Sequence, residues 1–209
     1  MTERSHRVSR RSVVLALFVF VLVLMVWVSS YAAHVRGSAQ SLINSANRIH
    51  STADAEREIA IWRSRSDRRF TDESPLSNGD RSYTVQVENG LLNRIRIVPP
   101  TAISMIVTIG NGQLKGIILV MFTGRSPSTT SGVWVQEYFG SGATNDFHVN
   151  PKGRPWKATV DFSSAAPESQ REKAFALNTK CFVQPGGCKS AEDILPGVWQ
   201  WDTAQQSQR

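Results

Sequence analysis

Residues 83–122, YTVQVENGLLNRIRIVPPTAISMIVTIGNGQLKGIILVMF, carry the pattern that decides the fold. Tyr83, Val85 and Val87 alternate with Thr84, Gln86 and Glu88. A period of two sends successive side chains to opposite faces of a strand, one face buried and the other wet. That strand is expected to stop at Asn89-Gly90, a pair suited to the positive φ angles of a tight hairpin turn. Arg94-Ile95-Arg96-Ile97 alternates in the same way and reads as a second strand, stopped by Pro99-Pro100. Ile103, Met105, Val107 and Ile109 mark a third, closed by Gly110-Asn111-Gly112. Residues 114–122 are apolar on both faces through Ile117, Ile118, Leu119, Val120 and Met121, as suits the centre of a sheet.

Outward from this block the chain changes period. Toward the C-terminus, residues 124–132 form a loop rich in Ser and Thr, and residues 133–139 and 156–162 read as further strands. Pro167-Glu168 opens a helix to about Asn178, with Pro at the first turn and an acid near the positive end of the helix dipole. Ser190-Ala191-Glu192-Asp193 caps a last short helix stopped by Pro196, and residues 202–209 are a polar, flexible tail. Toward the N-terminus, residues 38–65 read as helix in two pieces. Leu42, Ile43, Ala46 and Ile49 recur at helical spacing, and Ser51 to Asp54 resembles a capping box that starts a piece with Ile59 and Trp62 on its inner face. A loop covers residues 74–80. This order predicts an α+β fold: helices packed on a curled antiparallel sheet, with C-terminal helices, and with neither βαβ units nor internal repeats.

Ahead of all this lies VVLALFVFVLVLMVWV, 16 apolar residues from Val13 to Val28, within an uncharged stretch that runs from Ser12 to Ala33. An α-helix needs about 20 residues to cross roughly 30 Å of hydrocarbon, so residues 12–33 are expected to be a transmembrane helix. Trp27 and Tyr31 stand at one end, where amphipathic rings favour the headgroup layer. Arg4, Arg7, Arg10 and Arg11 stand at the other, which puts residues 1–11 in the cytoplasm and residues 38–201 outside it, in the periplasm or extracellular space. Two alternatives compete. Ser30 and Ala32 are small enough for signal cleavage, although the apolar run is longer than a signal peptide needs. Ser9-Arg10-Arg11 before an apolar run resembles a twin-arginine export signal, which is usually less hydrophobic.

The anchor also accounts for much of the charge. Of the net +7, the four N-terminal arginines less Glu3 contribute +3, leaving 20 basic and 16 acidic residues. That mild excess lacks the basic stripe of a nucleic-acid-binding domain, and no nucleic-acid partner is expected. About 165 residues beyond the anchor suffice for a real core without a structural metal.

Cys181 and Cys188 are the only cysteines and flank Gln184-Pro185-Gly186-Gly187, a turn able to bring the two sulfurs within bonding distance. Outside the cytoplasm a disulfide is the natural reading. The stretch AFALNTKCFVQPGGCKSAEDILPGVW, residues 174–199, resembles a family of uncharacterised bacterial single-pass membrane proteins with a closing Gly-Gly-Cys loop, a short helix with an acidic start, Leu-Pro and Trp. The strand-and-proline segment 89–100 is similar as well. The resemblance implies the disulfide and a shared domain plan, and no activity.

Candidate sites are few. His6 and His34 flank the anchor, leaving His50 and His148. With two cysteines they do not make the paired short spacings of a zinc site, and a disulfide removes the thiolate that His148 could activate. Gly110-x-Gly112 lies between strands and reads as a turn, so no cofactor is expected. Glu137 and Asp161 read as residues of solvated strand faces, and Trp134 and Tyr138 as packing against a helix. The one segment suited to an anionic partner is WRSRSDRR, with Arg63, Arg65, Arg68 and Arg69, although cations at a helix C-terminus also suit its dipole. Together these features point to a non-enzymatic interaction or structural domain of the cell envelope, whose partners are the lipid bilayer and other envelope proteins, with no metal. A small-ligand-binding or hydrolytic domain with a pocket inside the curled sheet is the alternative.

Overall fold

In a computed structural model of the chain, residues 10–65, 68–72, 76, 79–124, 130–140, 146–149 and 156–197 are described, the side chains of 10, 72 and 146–149 excepted. The N-terminal tail through Ser9, much of the two loops expected at 74–80 and 124–132, and the C-terminal tail lie outside the described residues.

The apolar N-terminal stretch and the first helix of the domain are one element. Helix α1 runs from Arg10–Arg48, 39 residues with no proline and a single glycine, Gly37. Nothing in that sequence breaks the i to i−4 ladder, so the helix continues for about 58 Å. Its first half is apolar all round and lies bare, Val14 to Trp27 being exposed on every side. The helix is long and apolar enough to cross a membrane. Its second half is amphipathic: Val35, Ala39, Leu42, Ile43 and Ala46 line a buried stripe against the domain. Burial against the domain thus starts at Val35.

Helix α2 (Thr52–Arg63) starts at Ser51, whose Oγ accepts from the Asp54 amide, and buries Ala55, Glu58, Ile59 and Trp62. Among the described residues the sheet has seven strands: β1 (Arg69–Asp72), β2 (Arg81–Glu88), β3 (Thr101–Gly110), β4 (Gln113–Thr123), β5 (Ser131–Tyr138), β6 (Asp146–Val149) and β7 (Lys157–Ser163). Their spatial order is β1-β2-β3-β4-β5-β7-β6. The α+β plan holds, with one refinement. β7 returns from edge strand β6 to insert beside β5, and the β5–β7 pair is parallel, so the sheet is mixed. Strands β1 and β6, four residues each, carry too short a pattern to be read from sequence.

The expected hairpin at Asn111-Gly112 is present, with φ values of 53° and 71°, the left-handed pair of a two-residue turn. The one expected at Asn89-Gly90 is absent. The chain instead forms a short helix α3 (Gly90–Arg94), and the strand expected at Arg94 to Ile97 does not exist. The end of α3 closes as a Schellman motif. The amide of Ile97 bonds to the Leu92 carbonyl (3.0 Å), that of Arg96 to Asn93 (2.9 Å), and Arg96 sits at φ 59°. Glycine usually fills that position; here an arginine holds it. After β7, helix α4 (Glu168–Phe175) ends three residues before Asn178, and a 3₁₀ turn (Thr179–Phe182) follows. A full capping box between Ser190 and Asp193 starts α5 (Ala191–Ile194).

One face of the sheet is covered. Val85, Val87, Ile103, Met105, Val107, Ile117, Leu119, Met121, Val133, Val135, Val160 and Phe162 pack under α1, α2, the 3₁₀ turn and the C-terminal helices, with Phe175 edge-on to Phe162. The other face carries Gln86, Ile106, Ile118, Gln136 and Thr159 at half-buried positions.

Candidate functional site

Of the four arginines singled out in the sequence, three are exposed and one is buried. Arg63 is exposed and stacks over Phe70 and Tyr83, its Cζ 5.3 and 5.7 Å from the two ring centres. With Arg81, Glu56 and Asn111 it lines a cleft of about 360 Å³ at the end of α2. Arg65 is exposed, Arg68 is buried, and Arg69 reaches Glu88 on β2 at 3.4 Å.

The two strand carboxylates separate as well. Glu137 is not on a solvated face: it points into the helix-covered core, 2% exposed, where Arg171 of α4 grips it through Nε at 2.9 and 3.1 Å. The same guanidinium donates to the carbonyls of Ala46, Asn47 and Ile49, each at 2.8 Å. These acceptors stand at the C-terminal end of α1, where a helix dipole favours a cation, and the Ala46 carbonyl also accepts from the Ile49 amide. One arginine thus satisfies a strand carboxylate and the end of the longest helix. Burial pushes the Glu137 carboxyl above its ordinary range, and Arg171 offsets only part of that rise. Asp161 pairs in register with Gln136, one position off, and so faces the opposite side of the sheet. Trp134 and Tyr138 share that open face; neither packs under a helix, and Lys157 lies 5.9 Å from the Trp134 ring. His50 is exposed at the α1–α2 link, while the side chain of His148, on β6, is outside the described residues.

Cys181 and Cys188 lie at disulfide distance, with Cα atoms 5.1 Å apart, inside the usual range for such a bond. The loop between them needs both glycines in left-handed conformation, Gly186 at φ 83° and Gly187 at φ 64°. Gly187 also meets the α3 segment so closely that a Cβ would sit 2.6 Å from Pro99 Cγ. Asn89, 1% exposed, ties the same parts together. Its side-chain amide donates to the carbonyls of Pro99 (2.9 Å) and Phe182 (3.2 Å), and its Oδ1 accepts from the Thr101 amide (3.0 Å). The 3₁₀ turn packs on α1, with Thr179 Oγ1 3.5 Å from Gln40 Oε1. On the other side of this knot the Leu91 amide reaches the Tyr31 hydroxyl at 3.5 Å. Tyr31 in turn stacks on Trp27, ring centres 6.4 Å apart.

These contacts build a junction where the bare half of α1 enters the domain, from Tyr31, the α3 segment, Asn89 and the cysteine loop. Sequence reading found the cysteines, Trp27 and Tyr31 but missed the roles of Asn89 and Arg171. Asn89 looked like half of a turn, and Arg171 like any charge on a short surface helix. No family model, curated protein or solved structure matches the chain.

Proposed function

We propose that this chain is a non-enzymatic envelope protein whose single helix anchors it in the cytoplasmic membrane and holds its domain rigidly against the outer side, where it meets other envelope proteins. The observation that carries this reading is the continuity of α1. Its bare apolar half has no partner within the chain among the described residues, and its other half is the spine of the folded domain. No linker separates the two, since Val35 is already buried two residues after the uncharged stretch ends. A tether would allow the domain to search space; a continuous helix fixes its height and limits its orientation. The positive N-terminus supports an inward tail, and the paired cysteines suit an oxidising compartment.

A hydrolytic site built on Glu137 and Asp161 is disfavoured, because the two carboxylates sit on opposite faces of the sheet and Glu137 is engaged by Arg171. The test is protease treatment of spheroplasts that express the full chain with an N-terminal tag, followed by alkaline carbonate extraction. The domain should be digested from outside, the tagged helix should stay protected, and the chain should remain in the membrane pellet. Release by carbonate, or a mature mass lacking the first 30 or so residues as signal cleavage would leave it, would overturn the anchor.

A further inference from the structure

We infer that the segment from Leu91 to Pro100 is a second membrane contact, which seats Ile95 and Ile97 in the interfacial layer and sets Arg94 and Arg96 against anionic lipid headgroups. The inference rests on the anchored reading above. Height along α1 comes first. A helix rises about 1.5 Å per residue, so Tyr31 lies only about 4–5 Å beyond Val28, the end of the apolar run. Each headgroup layer is about 5–7 Å thick. If the hydrocarbon instead ends at Ala33, Tyr31 is deeper still. Helix side chains lean toward the N-terminus, which carries the Tyr31 hydroxyl further toward the bilayer. That hydroxyl meets the Leu91 amide at 3.5 Å, so the start of α3 stands at headgroup level.

The composition of the segment then fits its position. Outside the bare half of α1, five large hydrophobic residues among the described ones are well exposed, and two of them are Ile95 (43%) and Ile97 (41%). An exposed isoleucine pair is costly in water and favourable at a membrane interface. Arg94 and Arg96 are exposed beside them, and neither forms a salt bridge among the described residues. With Asn93, Pro100 and Gly124 they line a shallow open groove. A lipid phosphate offers what guanidinium donors lack there. The left-handed conformation of Arg96 belongs to the same picture, since a non-glycine residue is kept there only where its surroundings impose it. The Asn89 knot and the cysteine loop against Pro99 hold the base of the segment still.

The experiment places an environment-sensitive fluorophore, by cysteine substitution in the full chain, at Val19, Leu76 or Ile97. Each chain is reconstituted in nanodiscs of phosphatidylcholine alone or with phosphatidylglycerol, and quenching by aqueous iodide is compared. Protection at Val19 and Ile97, with Leu76 freely quenched, is the expected result. Protection at Val19 with Ile97 quenched as readily as Leu76 overturns the second contact and leaves the anchor intact. Free quenching at Val19 overturns the anchor, and the second contact falls with it. The arginines are tested by Arg94→Ser and Arg96→Ser read at Ile97. In phosphatidylglycerol discs each should lower the ratio of seated to free segment about fivefold, as loss of one basic residue at an anionic surface predicts, and in neutral discs hardly at all. Equal loss in both lipids, with an unchanged thermal melt, overturns headgroup recognition.

Discussion

Arg171 is the residue on which most of the buried polar structure converges. It joins Glu137 on β5 to three carbonyls at the end of α1, all within a site closed to water. Replacing it by Met leaves Glu137 buried without a partner, and loss of one member of such a pair costs about 3–5 kcal/mol. Urea unfolding of Arg171→Met in detergent should show that loss, and Glu137→Gln should cost less, because the neutral amide still accepts a hydrogen bond. Glu58 offers a pH test of opposite character. Burial raises its carboxyl, but bonds from Arg48 (2.8 and 3.1 Å) and Ser45 outweigh that, and the net direction is downward. A depressed folded value means stability that is complete above the ordinary glutamate range, near pH 4.3, and lost as pH falls through the lower folded value. Glu58→Gln should therefore flatten the acid side of the stability profile below about pH 4 while leaving its shape at neutral pH unchanged. Arg96 makes a third case. Glycine at this left-handed position would relieve strain, so Arg96→Gly should stabilise the domain in detergent by about 0.5–1 kcal/mol while weakening the proposed lipid contact.

Among the elements, the cysteine loop and the α3 segment behave as one unit. Closing a loop of this length removes unfolded-state entropy worth about 2–3 kcal/mol, so Cys181→Ser with Cys188→Ser should lower thermal stability by that order. Gly187→Ala should do comparable harm with the cysteines intact, because it demands both a left-handed alanine and space already filled by Pro99. Near-equal effects of the two changes, read by melting of the full chain in detergent, would show that the loop works through its seat on Pro99. A silent Gly187→Ala would refute the packing. The α3 segment also shows why an alternating pattern misled. Ile95 and Ile97 follow a strand period, yet they alternate with arginines on a loop whose amides bond only locally. Period two says that a face could be buried; it does not say that another strand is there to bury it.

At the scale of the molecule, the anchored reading proposed above has the continuous α1 set a fixed relation between bilayer and domain. A break should undo it without unfolding either half. Inserting Gly-Gly-Ser after Ala33 is expected to leave the melting temperature within a degree or two of the parent. The same insertion should release the Ile97 probe to aqueous quencher in nanodiscs, since the Tyr31 contact no longer dictates the height of the domain. Persistence of protection would mean that lipid affinity of the segment alone suffices.

Much of this architecture was legible in the amino acids alone. The apolar run, the amphipathic stripe from Leu42 to Ile49, the cap at Ser51, the hairpin at Asn111-Gly112 and the box at Ser190 are each local, decided by neighbours within one turn or one strand. The α+β class followed from their order. What the sequence could not decide were features whose causes lie far along the chain. Asn89-Gly90 and Asn111-Gly112 share the same turn dipeptide, yet only the second makes a hairpin. The first Asn is claimed by Pro99, Thr101 and Phe182, the last of them 93 residues away. Likewise Arg171 and Glu137 stand 34 residues apart, and the helix end they satisfy lies more than 120 residues from Arg171. Period, caps and turns report on short-range sterics and hydrogen bonds, whereas a buried polar group finds its partner only when the fold closes around it.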